Sequence, residues 1–307
     1  MKQKSKLSNF NKFLTVVLVI VLVANVIVIA KKPVPVATEG DAGTTDANAL
    51  VIDEFKADTY GGVEFKTDED VVKYYAAAFD KTKAQTKVYS DGKGNTPTWY
   101  AFLGEEDLQV QKIIIEGKEN ATINNLVPTI VGGLFTKGAV GLSPTASRDP
   151  AQDTDEEGKS LTTCRLTAED VVATNVKDNG DGTITLQLQP KEVNMSHKGM
   201  DPQGNLFNTL GAIDSVVDSI QQLSWSQGTT AENCIVNYHG GYATVTIDTK
   251  SGLITTADYH MEAHIAVTHA NVLVLKDKSA NVLVTYDVHY PASEQYIKDN
   301  LGMTIVG

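Results

Sequence analysis

The stretch LITTADYHMEAHIAVT, residues 253–268, decides the fold. Its residues alternate. Leu253, Thr255, Ala257, Tyr259, Met261, Ala263, Ile265 and Val267 share one side. Ile254, Thr256, Asp258, His260, Glu262, His264, Ala266 and Thr268 share the other. A period of two is that of a β-strand, so the pattern predicts an extended segment with one apolar and one mostly polar face. Such a run would reach roughly 50 Å, far beyond a usual strand, so it must curve, bulge or break.

Working outward, Cys234 to Tyr290 reads as an antiparallel meander. Gly240-Gly241, Thr249-Lys250-Ser251-Gly252 and Lys276-Asp277-Lys278-Ser279 separate runs rich in Val, Ile, Leu, Thr and Tyr, as turns separate strands. Val272-Leu273-Val274-Leu275 and Val282-Leu283-Val284 are apolar on both sides, which predicts strands covered on both faces. The recurring Asn-Val-Leu-Val at 271–274 and 281–284 marks two arms of a hairpin.

Upstream, Thr67 followed by Asp68-Glu69-Asp70 is a helix cap with an acidic first turn. Val71, Val72, Tyr75, Ala78, Phe79 and Thr82 then recur at helical spacing to about Ala84. Strands are expected near Lys87–Ser90, Thr98–Leu103 and Val110–Ile115. A hairpin is expected over Val176–Gln189 about Asn179-Gly180-Asp181-Gly182. Leu166–Val172 reads as a helical turn capped by Thr167. A second amphipathic helix is expected from about Asn205 to Leu223, with Gly211 inside it at a cost. Ala292–Leu301 reads as a short polar helix. Between Asn124 and Phe135 the chain is apolar all round, with Pro128 and Gly132-Gly133 inside. It is either a short buried helix or an apolar lid, and its Leu126, Ile130, Leu134 and Phe135 are the candidate ligand contacts. The Gly-, Ser-, Pro- and Asp-rich run 136–163 is long for a loop in a compact domain.

The N-terminus carries Lys2, Lys4, Lys6 and Lys12, then an apolar run from Leu14 to Ala30 closed by Lys31-Lys32. At about 17 residues it just suffices to span a bilayer. No Gly or Pro break and no polar c-region follow, which favours an uncleaved anchor. A cleaved signal with Val28-Ile29-Ala30 at its site is the alternative, giving a secreted protein. The lysines place the N-terminus in the cytoplasm and the rest outside the cell membrane. No cysteine lies near the run, which excludes a lipoprotein anchor. The organisation expected is therefore a tail and transmembrane anchor over 1–32, an acidic Pro-containing linker over 33–66, and one domain over 67–307.

The chain of 307 residues has a net charge of −12, which disfavours nucleic acid as a partner. Cys164 and Cys234 are too few for a disulfide scaffold, though they are free to pair with each other outside the cell.

Catalytic motifs are absent. His239-Gly240-Gly241 lacks the Gly-x-Ser-x-Gly elbow that would make it an esterase segment, since Ser226 is flanked by Ser224 and Gly228. Ser90-Asp91-Gly92-Lys93 reads as a turn. His260, Glu262 and His264 alternate on one strand face with His269 and His289 in the vicinity, a pattern a zinc ion would accept but which a polar strand face also produces. Asp153-x-Asp155-x-Glu157-Gly158 begins like a calcium loop, but Ser160 and Cys164 stand where an apolar residue and the bidentate Glu belong. Phosphate-cradling loops are missing. No catalytic residue, metal or cofactor is expected.

The element order from Thr67 onward resembles that of uncharacterised membrane-anchored or secreted proteins of Gram-positive bacteria. It includes the Leu-Thr-Ala-Glu-Asp turn at 166–170, Tyr242-Ala243-Thr244-Val245-Thr246-Ile247-Asp248 and Ser251-Gly252-Leu253. More distantly it is similar to the lipoprotein-localisation group of unclosed half-barrels, over about residues 67–290. That resemblance implies an α+β fold, a curved antiparallel sheet covered by two or three helices, and a lipid or other apolar ligand held between them. The other expectation is a non-catalytic surface module that recognises an envelope protein.

Overall fold

A computed structural model describes residues 49–119, 138–145, 147–209, 211, 217–218, 223–272 and 275–306. The Leu14–Ala30 run and the candidate contacts Leu126, Ile130, Leu134 and Phe135 lie outside the described residues.

In chain order the first elements are β1 (Asp58–Tyr60), β2 (Val63–Phe65), α1 (Asp68–Lys83), β3 (Thr86–Ser90), β4 (Thr98–Tyr100) and β5 (Gly104–Ile115). Then come β6 (Lys118–Glu119), β7 (Ala139–Val140), β8 (Val171–Asp178), β9 (Thr183–Pro190), β10 (Val193–Asn194) and β11 (Leu223–Trp225). The C-terminal part adds α2 (Thr230–Asn233), β12 (Cys234–Tyr238), β13 (Tyr242–Asp248), β14 (Leu253–Val272), β15 (Leu275–Tyr290), α3 (Glu294–Leu301) and β16 (Thr304–Ile305).

An antiparallel sheet dominates, in the order β6-β5-β15-β14-β13-β9-β8. Its ends do not meet, so it is open. β14 is its spine. Along one edge it pairs with β15. Along the other it takes three partners in turn: β13 opposite Leu253–His260, β12 opposite Ala263–Val267, and β11 opposite Ala270–Val272. Changing partners, with register shifts near Val267 and Ala270, is how a 20-residue strand persists in a twisted sheet.

The alternation holds from Ala257 to Val267, where every odd residue is buried. It fails at the start. A register shift opposite Thr246 and Ile247 turns Ile254 inward and leaves Thr255 exposed. Even-numbered residues of β15 from Ala280 to Tyr290 are buried beside them. Leu283, on the opposite face, is only half-buried, so the covering expected on both sides of Val282–Val284 is incomplete. The hairpin between β14 and β15 closes at the pair Val272–Leu275. Lys276–Ser279, expected as a turn, lies inside β15: the register, not the local composition, places the tip.

α1 forms as expected. Thr67 caps it, Asp70 returns a carboxylate to the Thr67 N–H, and its buried face lies chiefly over β14 and β8. Tyr75 and Tyr259 share a buried hydroxyl–hydroxyl hydrogen bond of 2.7 Å, and Thr82 Oγ1 accepts the Ile254 N–H at 2.9 Å. A separate three-stranded sheet, β16-β3-β4, forms a small second core with α3 through Tyr89, Tyr100, Leu103, Ile297 and Met303.

Two expectations change. The domain begins before Thr67: β1 and β2 form a hairpin, Ile52 and Phe65 are buried, and Phe65 meets Tyr74 edge-on at 5.4 Å. Low hydrophobicity had hidden the two anchors in a linker-like composition. Among the described residues of the helix expected from Asn205 to Leu223, 205–209 are not helical, whereas Val217 is. Residues 201–209 are turns and coil, Gly211 is left-handed with φ +67°, and Leu223 opens β11. Asp201 captures the N–H groups of His197 and Gly204, which holds this segment in turns. Cys164 and Cys234 are not joined by a disulfide.

Candidate functional site

Two places among the described residues carry concentrated chemistry: the outer face of the sheet and a cleft at the far end of β14.

On the outer face, His260, Glu262 and His264 project together because they are alternate residues of one strand. Register brings Asp287 of β15 opposite His260 and Asn237 of β12 opposite His264. His260 Nδ1 lies 2.6 Å from Asp287 Oδ1, and its Nε2 lies 3.2 Å from Glu262 Oε1. His264 Nε2 lies 3.2 Å from the other Glu262 oxygen. Hydrogen bonds to Asp287 and then Glu262 push the His260 pKa up to about 9. It is therefore an imidazolium at neutral pH, donating from both nitrogens. The same contacts, led by His260, pull Glu262 down to about 2.

Sequence reasoning missed His239. Its ring stacks on His264 at 3.8 Å with 16° between planes, and burial lowers its pKa, with the charge of His264 acting the same way. Asn237 contacts its Nδ1 and donates to Asn194 Oδ1 at 2.8 Å. The signal was His239-Gly240-Gly241. The chain turns there at Gly240, φ +81°, where a Cβ would lie 2.9 Å from Glu262 Oε2. At Gly241 a Cβ would lie 2.6 Å from the His260 carbonyl. The glycines let the β12–β13 turn pass directly over Glu262. His289 pairs with Asp258 at 2.6 Å on the same face, while His269 pairs with Asp277 near the hairpin tip. Among the described residues no three His, Cys, Asp or Glu side chains are placed to hold a metal ion. In the His260–Glu262–His264–Asp287 contacts no thiol or hydroxyl takes part.

The cleft has a volume of about 490 Å³ and is lined by Val217, Asp218, Leu223 to Trp225 and Thr229 to Ala231. That size falls in the range of small-molecule sites. Trp225 sits opposite Ala270 of β14 and donates its indole N–H to Thr230 Oγ1 at 2.9 Å; Thr230 in turn donates to Asp218. The lining thus mixes apolar groups, from Val217, Leu223 and the indole, with a carboxylate and hydroxyls.

The remaining motifs resolve into structure. Ser90–Asn95 is a turn, with Asp91 Oδ1 accepting from Lys93 and Asn95. Asp155 pairs with Arg165 at 2.8 Å and accepts the N–H groups of Glu157 and Lys159. Burial pushes the Cys164 thiol up to about 12, which makes it a poor nucleophile. Ser226 donates to Asp277 at 2.6 Å. No family model, no curated protein and no solved structure matches this chain.

Proposed function

We propose that this is a membrane-tethered, extracytoplasmic binding protein without catalytic activity, built as a half-barrel-like sheet that holds an amphipathic ligand. The cleft beside Trp225 carries the reading. It is a concave space at the end of an open sheet, lined by apolar groups together with hydroxyls and Asp218. A ligand with an apolar body and a polar end matches both kinds of group, whereas a purely charged one leaves the indole and Leu223 unpaired. The tether rests on the Leu14–Ala30 run and its flanking lysines.

The chain has two tryptophans, Trp99 and Trp225. In a Trp99→Phe variant of the full chain, Trp225 is the sole indole. Titration with a single-chain lysophospholipid below its critical micelle concentration is expected to shift its emission to the blue and to saturate. An unchanged spectrum, together with no co-purifying lipid in native mass spectrometry, would sink the reading. A second reading, recognition of an envelope protein, is favoured by the part-exposed His260–Glu262–His264 face, tied together along β14 and across to Asp287 of β15. It predicts that changes at His260 weaken partner capture while the Trp225 signal stays intact.

A further inference from the structure

The described residue with the most unusual surroundings is Lys83, at the C-terminal end of α1. Its side chain and that of Asp153 are both 0% exposed, with Nζ 2.9 Å from Asp153 Oδ2. The ammonium also donates to the Leu161 carbonyl at 2.5 Å and lies 4.9 Å from the Phe79 ring centre and 5.4 Å from that of Tyr100. Around the carboxylate, Tyr100 Oη donates to Oδ2 at 2.8 Å and Thr145 Oγ1 donates to Oδ1.

A buried ion pair gives up the hydration of two charges, and the attraction between them often fails to return that cost. Burial draws the Lys83 pKa down, against the opposing pull of Asp153, and the Lys198 charge acts in the same direction as burial. An amine held 2.9 Å from a carboxyl group that already accepts two hydroxyl hydrogen bonds is arranged for acyl transfer. The fold holds the two groups in contact, which replaces a bimolecular encounter. In water, ionisation of both partners opposes amide formation. Here dehydration removes that opposition, and the lack of solvent access then protects the product from hydrolysis.

We propose that Lys83 and Asp153 condense into an intramolecular amide cross-link after folding. One proton passes from Nζ to Oδ2. The nitrogen lone pair attacks Cγ and the N–C bond forms, while the charge growing on Oδ1 is held by the Thr145 hydroxyl. The C–Oδ2 bond then breaks as a second nitrogen proton reaches the departing hydroxyl, next to Tyr100 Oη. One water leaves, and no oxidant, reductant or cofactor is consumed. The product joins α1 to the segment after the 3-10 turn Pro150–Gln152, and it removes both buried charges.

Peptide mapping of the purified full chain tests this. Trypsin does not cut at an acylated lysine, so the linked protein yields peptide 82–87 joined to peptide 149–159, one water lighter than their sum. Fragmentation is expected to place the branch at Lys83 and Asp153 in most molecules. Cleavage after Lys83, with peptide 149–159 recovered free at full mass in the folded wild type, would overturn the proposal. So would a loss of water that persists in peptide 149–159 of a Lys83→Arg chain, since that marks cyclisation at an aspartate instead. The decisive measurement is on the wild type and does not depend on the variant folding.

Discussion

Lys83–Asp153, as the two groups meet before any cross-link forms, and His260–Glu262 are each a lysine or histidine paired with a carboxylate, yet they sit in opposite surroundings. The first pair is 0% exposed on both sides; the second is 30% and 26% exposed and lies on the wet face of the sheet. In the first, burial works against charge: it lowers the lysine. In the second, hydrogen bonds win over burial: the histidine rises and the glutamate falls. The difference is one of solvation, since a half-exposed pair keeps part of its water while a buried one must be satisfied wholly by protein. The dry pair fixes α1 to the loop; the wet pair decorates a face that is free to meet something else.

Breaking the dry pair has the largest expected effect. Lys83→Met leaves Asp153 buried with only hydroxyl donors, and loss of one partner of a buried pair costs about 3–5 kcal/mol. Thermal unfolding should show a drop of many degrees. A variant as stable as the parent would contradict the buried Lys83–Asp153 contact.

The wet pair should respond to pH instead. His260 has a raised folded pKa, so its contribution is complete below the ordinary histidine value of about 6.5 and is lost as pH rises through about 9. Glu262 has a depressed one, so its contribution is complete above about 4.5 and is lost as pH falls through about 2. Denaturant unfolding between pH 6.5 and 9 should therefore show falling stability. His260→Gln should flatten that slope, by about 1 kcal/mol or less given the exposure. Equal slopes in parent and variant would assign the effect to other groups.

Much of this architecture was legible because β-structure writes itself with period two. Ala257 to Val267 could be sorted into faces by counting, and Thr67 with Asp70 announced α1. What could not be read were the consequences of register. Thr255 looked inward by parity and points outward because it is the extra residue where β14 slips against β13. Lys276–Ser279 has turn composition but lies within β15. Asp287, Asn237 and His239 joined the histidine set only once three strands were aligned, and nothing local marks Lys83 and Asp153 as partners. Gly211 was the one sign that the stripe from Leu206 to Ile220 would not make one helix. Its left-handed backbone is a conformation that a helix interior does not hold.

The two-faced spine is most directly tested one residue apart. Ile265 is 2% exposed on the inner face, and Ala266 is its half-buried neighbour on the outer. Ile265→Ser and Ala266→Ser should be unfolded side by side in urea. The account predicts a loss of more than about 3 kcal/mol for the first, from lost apolar contacts and a buried hydroxyl, and about 0.5 kcal/mol or less for the second. Similar losses for both, or the reverse order, would contradict a sheet with one dry face and one wet face.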